Sequence, residues 1–164
     1  MSLYFFARTG YNKYMKKHFA ELIGRYIEER NHDCWRDPLI GFADARELTG
    51  TGLDDPWTAI IYFIPFTSFL NEKNKTEVMA GEQWINVYRE TGELIEAINR
   101  MLVSEIEDIG YEAEPATDNL KDLAYEAGLG TFGVNGRLIT TKGSSGRFGA
   151  VISSVRALSD RPEE

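Results

Sequence analysis

Residues 57–65 read Trp57-Thr58-Ala59-Ile60-Ile61-Tyr62-Phe63-Ile64-Pro65. The run is short, rich in β-branched and aromatic residues, and apolar at both odd and even positions. A strand exposed on one side would alternate, so this pattern predicts a strand buried on both faces in the middle of a sheet. The apolar part is far shorter than the roughly 20 residues of a membrane span, so no bilayer crossing is expected.

Working toward the N-terminus, Gly50 to Pro56 is a loop by composition, and Pro56 bars helix through it. Leu39 to Ala43 has the character of a short strand, and Asn31 to Pro38 has turn chemistry. From Asn12 to Arg30, Met15, Phe19, Leu22, Ile23, Tyr26 and Ile27 recur at three- and four-residue spacing opposite Lys13, Lys16, Lys17, Glu21 and Glu28. That spacing predicts an amphipathic helix. The first residues, Met1 to Arg8, lack the basic start of a signal peptide, which makes the cytoplasm the expected location.

Toward the C-terminus, Phe66 to Lys75 reads as a polar loop carrying Phe66 and Phe69. A long helix is predicted from Ala80 to Ile109, with Gly92 positioned to kink or divide it and Gly110 as its stop. Tyr111 to Ala116 is extended. Asp118 and Asn119 can cap a short helix running through Glu126 and ending at Gly128. A glycine-rich stretch, Gly128 to Gly136, leads into a strand at Arg137 to Thr141, a turn at Lys142 to Gly146 and a strand at Phe148 to Val155. The spacing of the last two strands suggests a hairpin. Helices and strands are interspersed without a βαβ rhythm. The expectation is therefore a single α+β domain over 1–158, a mixed or antiparallel sheet flanked by helices, with 159–164 as a tail or linker.

The chain has 164 residues, with 18 Lys plus Arg against 26 Asp plus Glu and a formal net charge of −8. On average it repels phosphate backbones, so direct nucleic-acid binding is not expected. Its one cysteine, Cys34, excludes an internal disulfide and any cysteine-ligated zinc or iron–sulfur cluster built from this chain alone. His32, Asp33, Cys34 and Asp37 have metal-ligand chemistry, but no second ligand-rich segment completes a site, and no metal is assigned.

Gly128-Leu129-Gly130-Thr131-Phe132-Gly133 satisfies the dinucleotide pattern G-x-G-x-x-G, yet its context is reversed, with helix before and strand after. The glycines then serve either a backbone that needs positive φ or a flat ligand lying against the main chain. Lys142-Gly143-Ser144-Ser145-Gly146-Arg147 gathers amides, hydroxyls and cations suited to a phosphate, amide or carboxylate, or forms an ordinary turn. Glu112, Glu114 and Asp118, with Tyr111 nearby, are candidates for delivering a proton beside the glycine segment.

From Asn119 to Ser154 the sequence resembles the epoxyqueuosine reductase family, whose relatives include cobalamin-dependent reductive dehalogenases. The resemblance is carried by Ala127 to Asn135 (Ala-Gly-Leu-Gly-x-aromatic-Gly-x-Asn), Leu138 to Thr140, and the Gly-x-x-Gly-Arg turn from Gly143 to Arg147 ahead of an apolar strand. It implies a nitroreductase-like core in which cobalamin lies over Gly128, Leu129, Gly130, Phe132, Gly133 and Asn135, with its amides or phosphate held by Lys142, Gly143 and Arg147. It further implies reduction of an epoxide or a carbon–halogen bond, with Glu114, Asp118 or Tyr111 donating the proton. The family draws electrons through a ferredoxin-like iron–sulfur region, and the chain reaches Glu164 without one, so an external donor or ferredoxin-like domain is the expected partner. Two alternatives stay open: the same fold holding FMN, its phosphate at Lys142 to Arg147, or a non-catalytic binding or assembly module using the Ala80–Ile109 helix with Phe66 and Phe69. A homodimer is expected, because the face that a ferredoxin-like region would cover is left apolar.

Overall fold

The computed structural model describes residues 3–30, 34–67 and 80–156, with side chains described from residue 13 in the first helix and from residue 84 in the second. The expectations placed on His32, Asp33, Phe69 and the 159–164 tail lie outside the described residues.

The buried strand is where its composition puts it. Strand β2, Thr58–Pro65, is buried at all eight positions and pairs antiparallel with β1, Leu39–Asp44, on one side and with β6, Gly146–Ser153, on the other. Strand β3, Ala113–Ala116, adds to the far side of β6 and closes the order β1-β2-β6-β3, every neighbour antiparallel. Pro115 falls on this edge strand, where a missing N–H is tolerated.

Because β2 is apolar on both faces, each face carries its own core. Ile60, Tyr62 and Ile64 pack with two long helices, α1 (Leu3–Glu29) and α2 (Ala80–Asp108). Met15, Phe19, Ile23 and Ile27, spaced four apart, are the buried stripe of α1, with Leu22 and Tyr26 partly buried beside it. On the opposite face Ala59 and Ile61 pack with Leu123, Ala124 and Ala127 of α3 (Leu120–Glu126) and its C-terminal turn. Small residues on this side, Ala43, Ala59, Ala116 and Ala150, let the short helix lie close to the sheet. The architecture among the described residues is thus mixed α+β, three helices around antiparallel sheets. None of these helices is long and apolar enough to cross a membrane.

Four details depart from the sequence reading. The first helix begins at Leu3, not Asn12, since nothing in between breaks it. The second runs without interruption through Gly92, and at its end Gly110, at φ 89°, closes a left-handed cap in which Tyr111 N–H donates to Ile106 O. Asn119 does precede α3, but in a left-handed conformation (φ 58°) and with no side-chain capping bond. The expected hairpin between the last two strands is incorrect: β5 (Leu138–Thr140) pairs with β4 (Gly130–Phe132) as a separate two-stranded ribbon. The physical reason is the tight turn after β5. Thr140 and Gly143 exchange backbone hydrogen bonds, Gly143 takes φ 91°, and the chain swings out of the ribbon to enter the main sheet between β2 and β3.

Two buried polar bonds fasten α2 to the rest. Tyr62 Oη donates to Asn99 Oδ1 at 2.7 Å, and burial pushes its phenol well above the ordinary value, so it stays a neutral donor. Trp35 Nε1 donates to Thr91 Oγ1 at 2.9 Å, and that hydroxyl donates in turn to Val87 O.

Candidate functional site

The glycine segment is accounted for by the chain's own backbone. Gly128, at φ 76°, occupies the left-handed position after α3; its N–H donates to Tyr125 O and the Leu129 N–H to Ala124 O, the paired bonds of a Schellman cap. Gly136, at φ 74°, shapes the loop between β4 and β5. Gly130 and Gly133 are sites of close approach. A Cβ on Gly130 would stand 2.9 Å from the carbonyl carbon of Ile139, and one on Gly133 would stand 2.9 Å from Ile139 Cδ1. Leu129 is buried in the core beneath α3, Phe132 is half exposed and meets the Tyr125 ring at a tilt with centroids 5.4 Å apart, and Asn135 is exposed.

A cavity lies elsewhere, beside the turn that leads into β6. It is a cleft of about 940 Å³, toward the upper end of the roughly 300–1,000 Å³ usual for small-molecule sites. Phe66, Trp84, Tyr88 and Phe148 supply aromatic surface, and Lys121, Arg137 and Arg147 supply positive charge. Ser144 and Ser145 belong to the turn at its edge, and no carboxylate is among the described residues that line it. In a chain of net charge −8, a concave surface whose described residues carry three cations and no anion favours negative ligands.

Local structure explains how these groups converge. Phe66 follows β2 directly, its N–H donating to Ser145 O, and its ring meets Trp84 edge-on at 5.2 Å. Phe148 packs on Phe63 across the β2–β6 pair, centroids 4.7 Å apart. Lys121 projects from the first turn of α3, and Arg137 precedes β5. Arg147, on β6, donates from Nη1 to the backbone oxygen of Tyr88 at 3.0 Å and lays its guanidinium over the Tyr88 ring at 4.1 Å. Gly92 is what admits it: a Cβ there would stand 2.6 Å from Arg147 Nη1.

Of the residues given a proton-donating or cofactor-holding role from the resemblance, Arg147 alone lines this cleft; Ser144, Ser145 and Gly146 of the same turn, and Phe66, line it with Arg147. Lys142 Nζ donates to the Asp37 backbone oxygen at 2.9 Å, and Gly143 forms the turn with Thr140. Glu114, on β3, accepts the Gly52 N–H with both carboxylate oxygens at 3.0 Å and so ties down the loop before β2. Tyr111 packs partly buried against the α1–α2 core. Asp118 is exposed, two positions before Leu120, which does line the cleft. Sequence reading did not single out Lys121, Arg137 or Trp84 as site residues. A signal for Arg137 was available: from Ala127 to Arg156 the sequence holds four cations, Arg137, Lys142, Arg147 and Arg156, and no carboxylate. No group of three or more potential metal ligands occurs among the described residues.

Neither a scan against protein-family models nor a search of curated proteins finds a match for this chain.

Proposed function

We propose that the chain is the cofactor-binding core of a cytoplasmic reductase with a nitroreductase-like arrangement, and that it takes a planar, phosphate-bearing cofactor into the cleft beside Arg147. The observation that carries this reading is the composition of the cleft wall, four aromatic rings with three cations and no carboxylate among the described residues. Rings of this kind cover a flat conjugated system and keep water from it, while Lys121, Arg137 and Arg147 bind and orient its phosphate. When bound, such a cofactor supplies the reducing electrons, from low-valent cobalt in a corrinoid or from reduced dihydroflavin in FMN. Asp118, exposed near the α3 side of the cleft, is the retained proton donor, since Glu114 is engaged with Gly52 and Tyr111 with the core. With one cysteine in the chain, the electrons come from a separate donor.

The corrinoid follows from the resemblance over Ala127 to Arg147. A flavin is the second reading, and one observation favours it: the close packing of Gly130 and Gly133 on Ile139 gives those glycines a reason that needs no macrocycle. Titrating the purified chain with cob(II)alamin and, separately, with FMN tests both, followed by visible absorbance and calorimetry. We expect one of them to bind and Arg147→Ala to weaken it about tenfold or more. Binding of neither overturns the proposal.

A further inference from the structure

We infer that Tyr88 and Gly92, one turn apart on α2, are positioning residues that preset the Arg147 guanidinium as the main anchor for a phosphate- or carboxylate-bearing ligand in the cleft. The inference rests on the reading of the cleft as an anion site and adds how its principal cation is aimed.

The argument begins with helix geometry. In an α-helix the carbonyl of residue 88 accepts the N–H of residue 92, and every Cβ leans toward the helix N-terminus. A side chain at 92 therefore lies over the oxygen of residue 88 and shields it from any second donor. Gly92 removes that cover. Arg147 uses the gap: its Nη1 reaches Tyr88 O at 3.0 Å, in space where a Cβ on residue 92 would stand 2.6 Å from Nη1 and 3.6 Å from Cζ.

Among the described residues outside its own helix backbone, Arg147 is the one group that a Cβ at 92 would meet within 4 Å. Gly92 is not among the glycines with positive φ, and it sits within a continuous helix from Ala80 to Asp108. A glycine inside a helix is destabilising relative to alanine, and the structural consequence seen at 92 is the seat for Arg147. The seat is also electrically neutral. Arg147 is held by a carbonyl and a ring face 4.1 Å away, and no carboxylate among the described residues pairs with it. An arginine that only fastened β6 to α2 could be neutralised by an acid without loss. Here one of five N–H donors is spent on the helix, the planar fork is fixed by stacking, and its charge is left uncompensated on the wall of the cleft, where Lys121 and Arg137 add to it.

The test uses pyrophosphate as the probe, in thermal melts of the whole chain at matched ionic strength against sodium chloride, with FMN and riboflavin titrations alongside. For the wild type we expect the melting midpoint to rise with pyrophosphate. In Gly92→Ala the midpoint without ligand should not fall, because alanine favours helix, but the pyrophosphate response should drop about tenfold in apparent affinity. Arg147→Ala should show the same loss, and the double variant no more than either alone. Tyr88→Leu, which keeps the carbonyl and removes the ring, should lie between. If flavin is the ligand, any preference for FMN over riboflavin should shrink in step. A pyrophosphate response lost in Arg147→Ala but intact in Gly92→Ala overturns the positioning role and leaves the cleft reading standing. No response in the wild type overturns both.

Discussion

Replacing Gly149 by alanine is expected to be among the most damaging single-methyl additions this fold can receive. Gly149 lies opposite Tyr62 in the β2–β6 register, and the Tyr62 ring crosses directly over it. A Cβ would stand 2.7 Å from Tyr62 Cε2 and closer still to Cζ and the hydroxyl oxygen. Strand backbone and a fully buried ring both resist movement, so the ring must tilt away. Overpacking of this kind costs about 1–3 kcal/mol. Tilting also breaks the 2.7 Å bond from Tyr62 Oη to Asn99 Oδ1 and strands a buried amide oxygen, which costs about 1–3 kcal/mol more. Together the penalty is about 2–6 kcal/mol, or a fall in Tm of about 4–24 °C for a chain this long. Urea titrations followed by circular dichroism measure it. Repeating the substitution on a Tyr62→Leu background isolates the mechanism, because without the ring Gly149→Ala should cost less than about 1 kcal/mol. If Gly149→Ala is nearly neutral in the wild type, or equally harmful on both backgrounds, the crossing of ring over glycine is not what makes position 149 small.

Gly128→Ala should cost about 1–2 kcal/mol in urea titration by forcing a side chain into the left-handed region, and Gly128→Asn less. Trp35→Phe removes the donor to Thr91 and should lower stability by about 1–3 kcal/mol. Glu114→Ala should speed protease cleavage in the Gly50–Pro56 loop, since it releases the Gly52 N–H, while leaving affinity for the cleft ligand unchanged by calorimetry. The Arg46 guanidinium, donating from Nε to Asp44 Oδ1 at 2.9 Å, holds the Asp44 carboxyl below its usual range. Its small contribution is therefore present above the unfolded carboxylate value near ~3.9 and lost as pH falls through the lower folded value. Asp44→Asn should lower the urea midpoint slightly at pH 7 and converge with the wild type in strong acid, the effect limited by exposure of both side chains.

The central strand was legible because its signal is local: nine consecutive residues with no polar face leave no other place for them. The two long helices and the glycine stops at 110 and 128 were legible for the same reason, as periodicity and handedness are properties of short stretches. Pairing was not. Whether β5 joins β6 or β4 depends on a turn at Thr140 to Gly143 whose hydrogen bonds form only in three dimensions. The cleft was less legible still, since Phe66, Tyr88, Lys121 and Arg147 come from four separate elements. Gly92 illustrates the gap: from the sequence it marks a flaw in a helix, and only the neighbouring strand shows what its bareness admits.

The proline in β3 bears on how copies of this molecule behave in crowded solution. An edge strand invites another to zip onto it, and Pro115 breaks that row of donors on one rim of the sheet. The opposite rim, Leu39–Asp44, has no such guard within the strand. Aggregation by strand addition should thus start from β1, and a proline or lysine introduced there is the economical way to suppress it.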